Sequence, residues 1–322
     1  MELKPTFKLS LIFLLAAAPA SMVLAQPSDA SPCSFSGFTL GVGLGATTLM
    51  SDLSSTTAGV SELPAIDIII PALAPLNPTP GNTVNNYARA NTYKYGVMGN
   101  IFVGYGYVFD NHAYLGGELG LNFLGANDAT LKNTTTTNTT MTVTDSGQEA
   151  FGTGNYANSL FTKTKATRNS VEPFLDLKAG FLITPTALVY LRGGINYNTF
   201  KVKTEGSFNA AGNTSYSYND GIETGASSTS TTSAFTASRK KSEIGYRAGI
   251  GMEVMVTPAF GVGADYVYSF YRTVKASSNT SSSDVACDIY EGCQVVGANM
   301  TNSSKANLSD QQVTAQLIYH FG

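Results

Sequence analysis

The sequence predicts an all-β chain: an eight-stranded antiparallel up-and-down transmembrane β-barrel with long extracellular loops. Three observations predict it. Charge is scarce in a chain without long apolar runs, eight segments alternate strictly between two kinds of residue, and the connections between them alternate short and long. The charged fraction is 13%, about half of the roughly 25% usual in soluble domains. The hydrophobic fraction is an ordinary 43%, with 32 glycines, 17 tyrosines, 17 phenylalanines and no tryptophan. Ser, Thr and Asn supply the polarity. A net charge of −3 and a pI near 5.4 offer nothing to nucleic acid, which normally demands a basic face, so no nucleic-acid partner is expected.

The first segment, Phe38 to Ala46, puts Phe38, Leu40, Val42 and Leu44 on one face and Thr39, Gly41, Gly43 and Gly45 on the other. The second runs from Val97 to Phe109 and the third from Ala113 to Phe123. The fourth spans Val171 to Ile183, the fifth Val189 to Thr199 and the sixth Ile244 to Val256. The seventh runs from Phe260 to Phe270 and the last from Val313 to Phe321. Period-two alternation marks a strand with two different environments. In a membrane barrel the apolar face meets lipid and the small or polar face meets the lumen. The eight segments hold 49 outward positions and none is charged, where the chain's own charge frequency would place about six. Charges collect on the other face instead, as a cost of roughly 2–4 kcal/mol for Lys or Arg at the bilayer midplane requires.

A soluble sandwich also alternates, so the connections decide. Asp110-Asn111, Thr184-Pro185-Thr186 and Thr257-Pro258 are short turns. The stretches 47–96, 125–170, 200–242 and 271–311 are long. Short periplasmic turns opposite long external loops are the plan of outer-membrane barrels. The long stretches are low in complexity, as in the Asn-Thr run 133–140, and are expected to be solvated loops tolerant of change.

Ahead of the barrel, Lys4 and Lys8 precede an apolar run from Leu9 to Ala18 and a Val23-Leu24-Ala25 site. This is the pattern of a signal peptide, 1–25, cleaved after Ala25. The run falls short of the ~20 residues of a spanning helix. The barrel then occupies 26–322, and the expected location is the cell outer membrane.

Eight strands, the glycine comb Gly37-Phe38-Thr39-Leu40-Gly41-Val42-Gly43 and the ending Tyr319-His320-Phe321 resemble the OmpA-like transmembrane domain and the opacity-type surface antigens. The resemblance implies outer-membrane lipid and the barrel-assembly machinery as partners. Tyr319 and Phe321 would serve as the C-terminal assembly signal, although Gly322 follows where family members end on the aromatic residue. It also implies a non-enzymatic surface barrel, adhesin- or opacity-like, with a possible host or matrix ligand for its loops. The alternatives are a narrow channel for small solutes and a purely structural envelope protein.

The lumen of an eight-stranded barrel is just wide enough for side chains to fill. Glu118, Asp176, Lys178, Arg192 and Asp265 fall at similar depth, with Arg247 above and Glu253 below, and are expected to form an ion-pair network closing it. A polar pore is the competing possibility. No catalytic, cofactor or metal residues are expected. His112 and His320 both lie near the short-turn end, away from the outer leaflet where a lipid-modifying barrel enzyme would meet its substrate, and no Cys/His spacing matches a zinc site. Cys287 and Cys293 flank five residues in the fourth long loop, a spacing that suits a disulfide in an oxidising compartment. Cys33 lies on the other side of the membrane. In the first long loop, Ile66, Ile68, Ile69, Ile70 and Leu73 form an apolar stretch that either contacts a partner or folds back on the rim.

Overall fold

The computed structural model describes residues 34–62, 82–144, 151–218, 223–288 and 292–321. Among them the chain forms β1 (Gly37–Glu62), β2 (Asn82–Val108), β3 (Ala113–Leu124), β4 (Asp128–Thr144), β5 (Phe151–Arg168) and β6 (Val171–Thr184). There follow β7 (Ala187–Tyr218), β8 (Glu223–Met255), β9 (Phe260–Phe270), β10 (Val274–Asp288) and β11 (Gly292–Phe321). Eight of these close a ring of antiparallel pairs in the order β1-β2-β3-β6-β7-β8-β9-β11, with β11 returning to β1 from Phe38↔Phe321 upward. Closure leaves no strand edge within the ring, as a spanning sheet must.

Each of the eight alternating segments falls on one ring strand, with Phe109 and Val256 one residue past the ends of β2 and β8. None of their 49 outward positions is buried. Val97 is 80% and Leu44 76% exposed, amid a continuous belt of Leu, Ile and Val. A soluble monomer does not present so large an apolar band to water; lipid is the solvent that fits it. Aromatic rings border the band. Near the short turns, Phe38 meets Tyr105 at 5.0 Å and Phe260 meets Tyr319 at 5.1 Å. Toward the other end, Tyr246 and Phe270 stack at 5.7 Å. Such girdles mark the two interfaces of a transmembrane barrel.

The three turns expected at the end away from the long stretches run 109–112, 185–186 and 256–259 between the strand ends. In the first, the Phe109 N–H donates to the Ala113 carbonyl at 2.8 Å and His112 takes a φ of 67°. That left-handed conformation is tolerated by His better than by most residues and closes the turn.

The long stretches differ from the expected loops. In 47–96, 125–170, 200–242 and 271–311 the described residues are mostly strand. β1, β2, β7, β8 and β11 continue past the lipid-facing band, and β4, β5 and β10 exist only beyond it. There the ring opens into two four-stranded sheets, β4-β5-β7-β8 and β2-β1-β11-β10. Their inner faces share a core of Leu49, Leu53, Ala88, Ala129, Leu131, Ala166, Phe200, Val202, Val274 and Leu308. Higher up, Leu160, Phe208, Phe235 and Met300 form a second cluster. The protein is a barrel that carries an ordered two-sheet head.

The reason is legible strand by strand. In β1 the apolar residues Leu40, Val42 and Leu44 point outward, whereas Leu49 and Leu53 are fully buried inward. In β7, outward Ile195 and Tyr197 give way to inward Phe200 and Val202. The apolar phase inverts because the surrounding solvent changes from lipid to water. Below the inversion the hydrophobic face must look out; above it, the same chain must hide that face.

Candidate functional site

The candidate site is the lumen, and its floor and walls are built from inward positions of the ring. β7 contributes Arg192, β6 Asp176 and Lys178, β3 Glu118, β8 Arg247 and β9 Asp265; all six are at most 6% exposed. Pairing register sets Glu118 opposite Asp176 and Lys178 opposite Arg192, so like charges face each other across both strand pairs and need counterions from elsewhere. The barrel curvature supplies them. Arg192 stands at the centre: Nε donates to Asp176 Oδ2 at 2.9 Å, Nη2 to Glu118 Oε2 at 3.0 Å, and Nη1 pairs with Asp265. Lys178 pairs with the other oxygen of Glu118. Arg247 Nε approaches Asp176 Oδ1 at 3.3 Å, off hydrogen-bond geometry.

Neutral groups complete the set. Tyr190 Oη donates to Asp265 Oδ1 at 2.6 Å and Gln316 Nε2 to its Oδ2 at 2.7 Å. Phe174 lies under the Arg247 guanidinium at 4.3 Å and Tyr190 under the Lys178 ammonium at 4.2 Å. These are cation–π contacts, which strengthen when water is excluded. Three carboxylates and three cations make the cluster neutral. Space for it comes from missing side chains: a Cβ on Gly194 would sit 2.2 Å from Asp176 Oδ1, and one on Gly251 2.0 Å from Asp265 Oδ1.

Glu253 does not join this cluster. His320 Nε2 lies 2.6 Å from Glu253 Oε1 near the short-turn end, with Phe35 edge-on to the imidazole at 5.8 Å. Beside them Phe35, Leu188, Tyr190 and Met255 form an apolar layer. The sequence expectation of Glu253 below the network is thus a separate pair, because the intervening layer is apolar. Tyr319 and Phe321 point outward in the aromatic girdle at the same end.

A second polar layer lies on the head side, where Glu172, an inward charge of the fourth segment, meets residues from outside the eight segments. Arg168 Nη1 contacts Asp310 Oδ1 at 3.1 Å, its Nε donates to the Ala126 carbonyl at 2.7 Å, and Thr47 Oγ1 donates to Asp310 Oδ1 at 2.7 Å. Glu172 accepts from Asn122 at 3.2 Å, Asn198 at 3.0 Å and the Tyr271 hydroxyl at 2.5 Å. Arg168 and Asp310 lie outside the eight segments, at inward positions of β5 and β11. The signal was present: Asp310 and Gln312 continue the inward alternation of β11.

From the short turns upward the lumen therefore holds an apolar layer, the six-charge cluster, the Glu172–Asp310 layer and the head core. Side chains fill it at each level. Cys33 and the stretch Ile66 to Leu73 lie outside the described residues. Register places Cys287 directly opposite Cys293 across β10 and β11.

A closed ring of eight strands, apolar outside and packed with charge inside, defines a transmembrane β-barrel of the small, lumen-filled kind. No family model matches the sequence, and no curated protein matches it. Outer-membrane barrels are among the solved structures similar to it. Neisserial surface protein A shares 11% identity over 86% of this chain and 99% of that one, with a TM-score of 0.28. The attachment invasion locus protein Ail of Yersinia pestis shares 13% over 81% and 98%, at 0.17. The outer membrane protease OmpT of Escherichia coli shares 13% over 87% and 97%, at 0.25. At such values the comparisons carry no argument about activity, and the assignment rests on the ring and its sorted faces.

Proposed function

We propose that the protein is a non-enzymatic surface barrel of the outer membrane, in which a sealed wall displays a rigid two-sheet head to the environment. One observation supports this above others: the side chains that fill the lumen continue without interruption into the core of the head. A barrel so packed offers solutes no path, and what it does offer is an ordered outward surface. The apolar stretch Ile66 to Leu73, in the connection from β1 to β2, is the proposed contact segment for a host or matrix ligand.

The test has two arms. Purified protein in planar bilayers is expected to show no steady conductance; a stable open level would sink the sealed lumen. On whole cells, a variant lacking 66–73 is expected to keep its heat-modifiable folded band and lose adhesion to host cells or matrix. Undiminished adhesion counts against the contact role.

The same reading makes the chain a precursor cleaved after Ala25, inserted by the barrel-assembly machinery with Tyr319 and Phe321 as its terminal signal. It also includes a disulfide between Cys287 and Cys293. Directly opposed residues of an antiparallel pair have Cα atoms about 4.5–5.5 Å apart, inside the span a disulfide needs. Intact mass spectrometry of protein recovered from membranes, after alkylation without reductant, is expected to show a chain starting at Gln26 with one alkylated cysteine, Cys33. Three alkylated cysteines would remove the bridge.

A further inference from the structure

The outer wall of the head places lysines where an antiparallel sheet disfavours them. Register sets Lys165 of β5 directly opposite Lys203 of β7, and Lys201 of β7 directly opposite Lys240 of β8. Like charges so opposed destabilise the pairing. Lys163, Lys165, Lys201, Lys203 and Lys240 all occupy outward positions; between them on β5 and β7, Thr162, Thr164, Ala166, Val202 and Thr204 are buried inward. The five therefore share one face of three adjacent strands.

Acids on this face are few and already engaged. Glu205 pairs with Lys203, and Asp128 lies 3.5 Å from Lys165. Lys201 and Lys240 form no ion pair among the described residues. Among the described residues the arrangement holds an excess of positive charge that no acid neutralises, although the whole chain carries −3.

Height along the barrel narrows the partner. Lys201 is four residues beyond Tyr197 on the same face, and Lys240 four residues from Ile244. At about 3.3 Å per residue and a tilt near 40°, that is on the order of 10 Å above the last lipid-facing ring. The headgroup region extends about 5–7.5 Å beyond the hydrocarbon core, just below these backbone positions, and the long lysine stems can carry their ammonium groups down to it. Beneath the lysines, Tyr197, Ile195, Ile244 and Tyr246 are exposed and apolar, a wall for acyl chains.

We propose that the lysine face of β5, β7 and β8 binds the phosphate groups of anionic lipid headgroups in the leaflet on the head side. Ammonium groups act as point-charge phosphate ligands, and a phosphate between Lys201 and Lys240 turns their mutual repulsion into joint attraction. The inference rests on the barrel being membrane-inserted with its head outward, and on nothing about a host ligand.

The test uses the full folded chain in neutral detergent. The probes are bis-phosphorylated lipid A, the same lipid without phosphates, inorganic phosphate, and a soluble sulfated oligosaccharide. Native mass spectrometry gives affinity, and the unfolding midpoint gives stability. Phosphorylated lipid is expected to bind at least tenfold tighter than its phosphate-free form and to raise the midpoint. In the Lys201→Gln, Lys240→Gln double variant both effects fall to the phosphate-free level. Without lipid that variant is expected to be as stable as the parent or more so, since the opposed charges are gone; this separates lost binding from misfolding. Equal affinity for the two lipids, or unchanged affinity in the variant, overturns the proposal. So does displacement of the lipid by inorganic phosphate or the oligosaccharide at equimolar concentration, which would assign the face to a soluble anion. Protease access to the head on intact cells, measured separately, tells failure of the outward orientation apart from failure of the site.

Discussion

Arg192→Ala is expected to destabilise the folded barrel by about 3–5 kcal/mol, the range for removing one partner of a buried ion pair. Arg192 touches Asp176, Glu118 and Asp265 at once. Its loss leaves three carboxylates sharing Lys178 and Arg247, and leaves Asp265 with only the Tyr190 hydroxyl and the Gln316 amide. Arg192→Lys is expected to recover little, because a single ammonium cannot reach three carboxylates held by a planar fork. Adding Asp265→Asn to Arg192→Ala returns the cluster to neutrality, so the double variant is expected to be more stable than Arg192→Ala alone. That non-additivity is the signature of direct coupling. Arg89→Ala serves as the control: Arg89 bonds Asp52 at 2.7 Å, but its side chain is 60% exposed, and such pairs are worth about 0–1 kcal/mol. Urea unfolding in lipid vesicles measures all four. If Arg192→Ala shifts the midpoint no further than Arg89→Ala, the lumen cluster does not hold the barrel together.

The sequence discloses the ring more fully than the site. Lipid enforces a strong rule, with no charge outward, so eight strands and their registers can be read from single residues such as Leu44 and Glu118. The lumen obeys a weaker rule. Arg192 and Asp176 announce themselves as charges between apolar neighbours, but their partners depend on curvature, which the alternation does not encode. Glu253 illustrates the loss: its depth is readable, yet its partner His320 comes from a strand that closes the ring. The head was missed for a different reason. Its outer face is Ser, Thr, Asn and Lys, and its inner face mixes Leu53 with Ser51 and Ser55, so the contrast between faces is low. The readable cue was the inversion itself, Leu44 outward and Leu49 inward five residues later, which a search for one fixed phase treats as the end of a strand.

Phe200→Ala tests whether the head is a packed unit. Phe200 is fully buried, edge-on to Tyr271 at 4.8 Å, in the core that joins the two sheets. Truncating such a residue costs about 3–5 kcal/mol, whereas in an irregular solvated loop it would cost almost nothing. The effect is expected to be local first. The head lies beyond the charged layers, and its pairs are not closed into a ring, so it can open while the lipid-embedded strands stay paired. A loss of about 3 kcal/mol corresponds to amide exchange more than a hundredfold faster in residues 200–208 and 274–276. Amides of β3, inside the ring, are expected to keep their protection. Tyr271 connects the two regions, since its hydroxyl donates to Glu172 and accepts from Asn196 at 2.8 Å. Loosening the ring of Tyr271 is therefore expected to raise exchange at Glu172 and Asn196 as well, by a smaller factor. Exchange in 200–208 that is already fast in the parent protein, and unaltered by the substitution, would mean that these strands do not share a core.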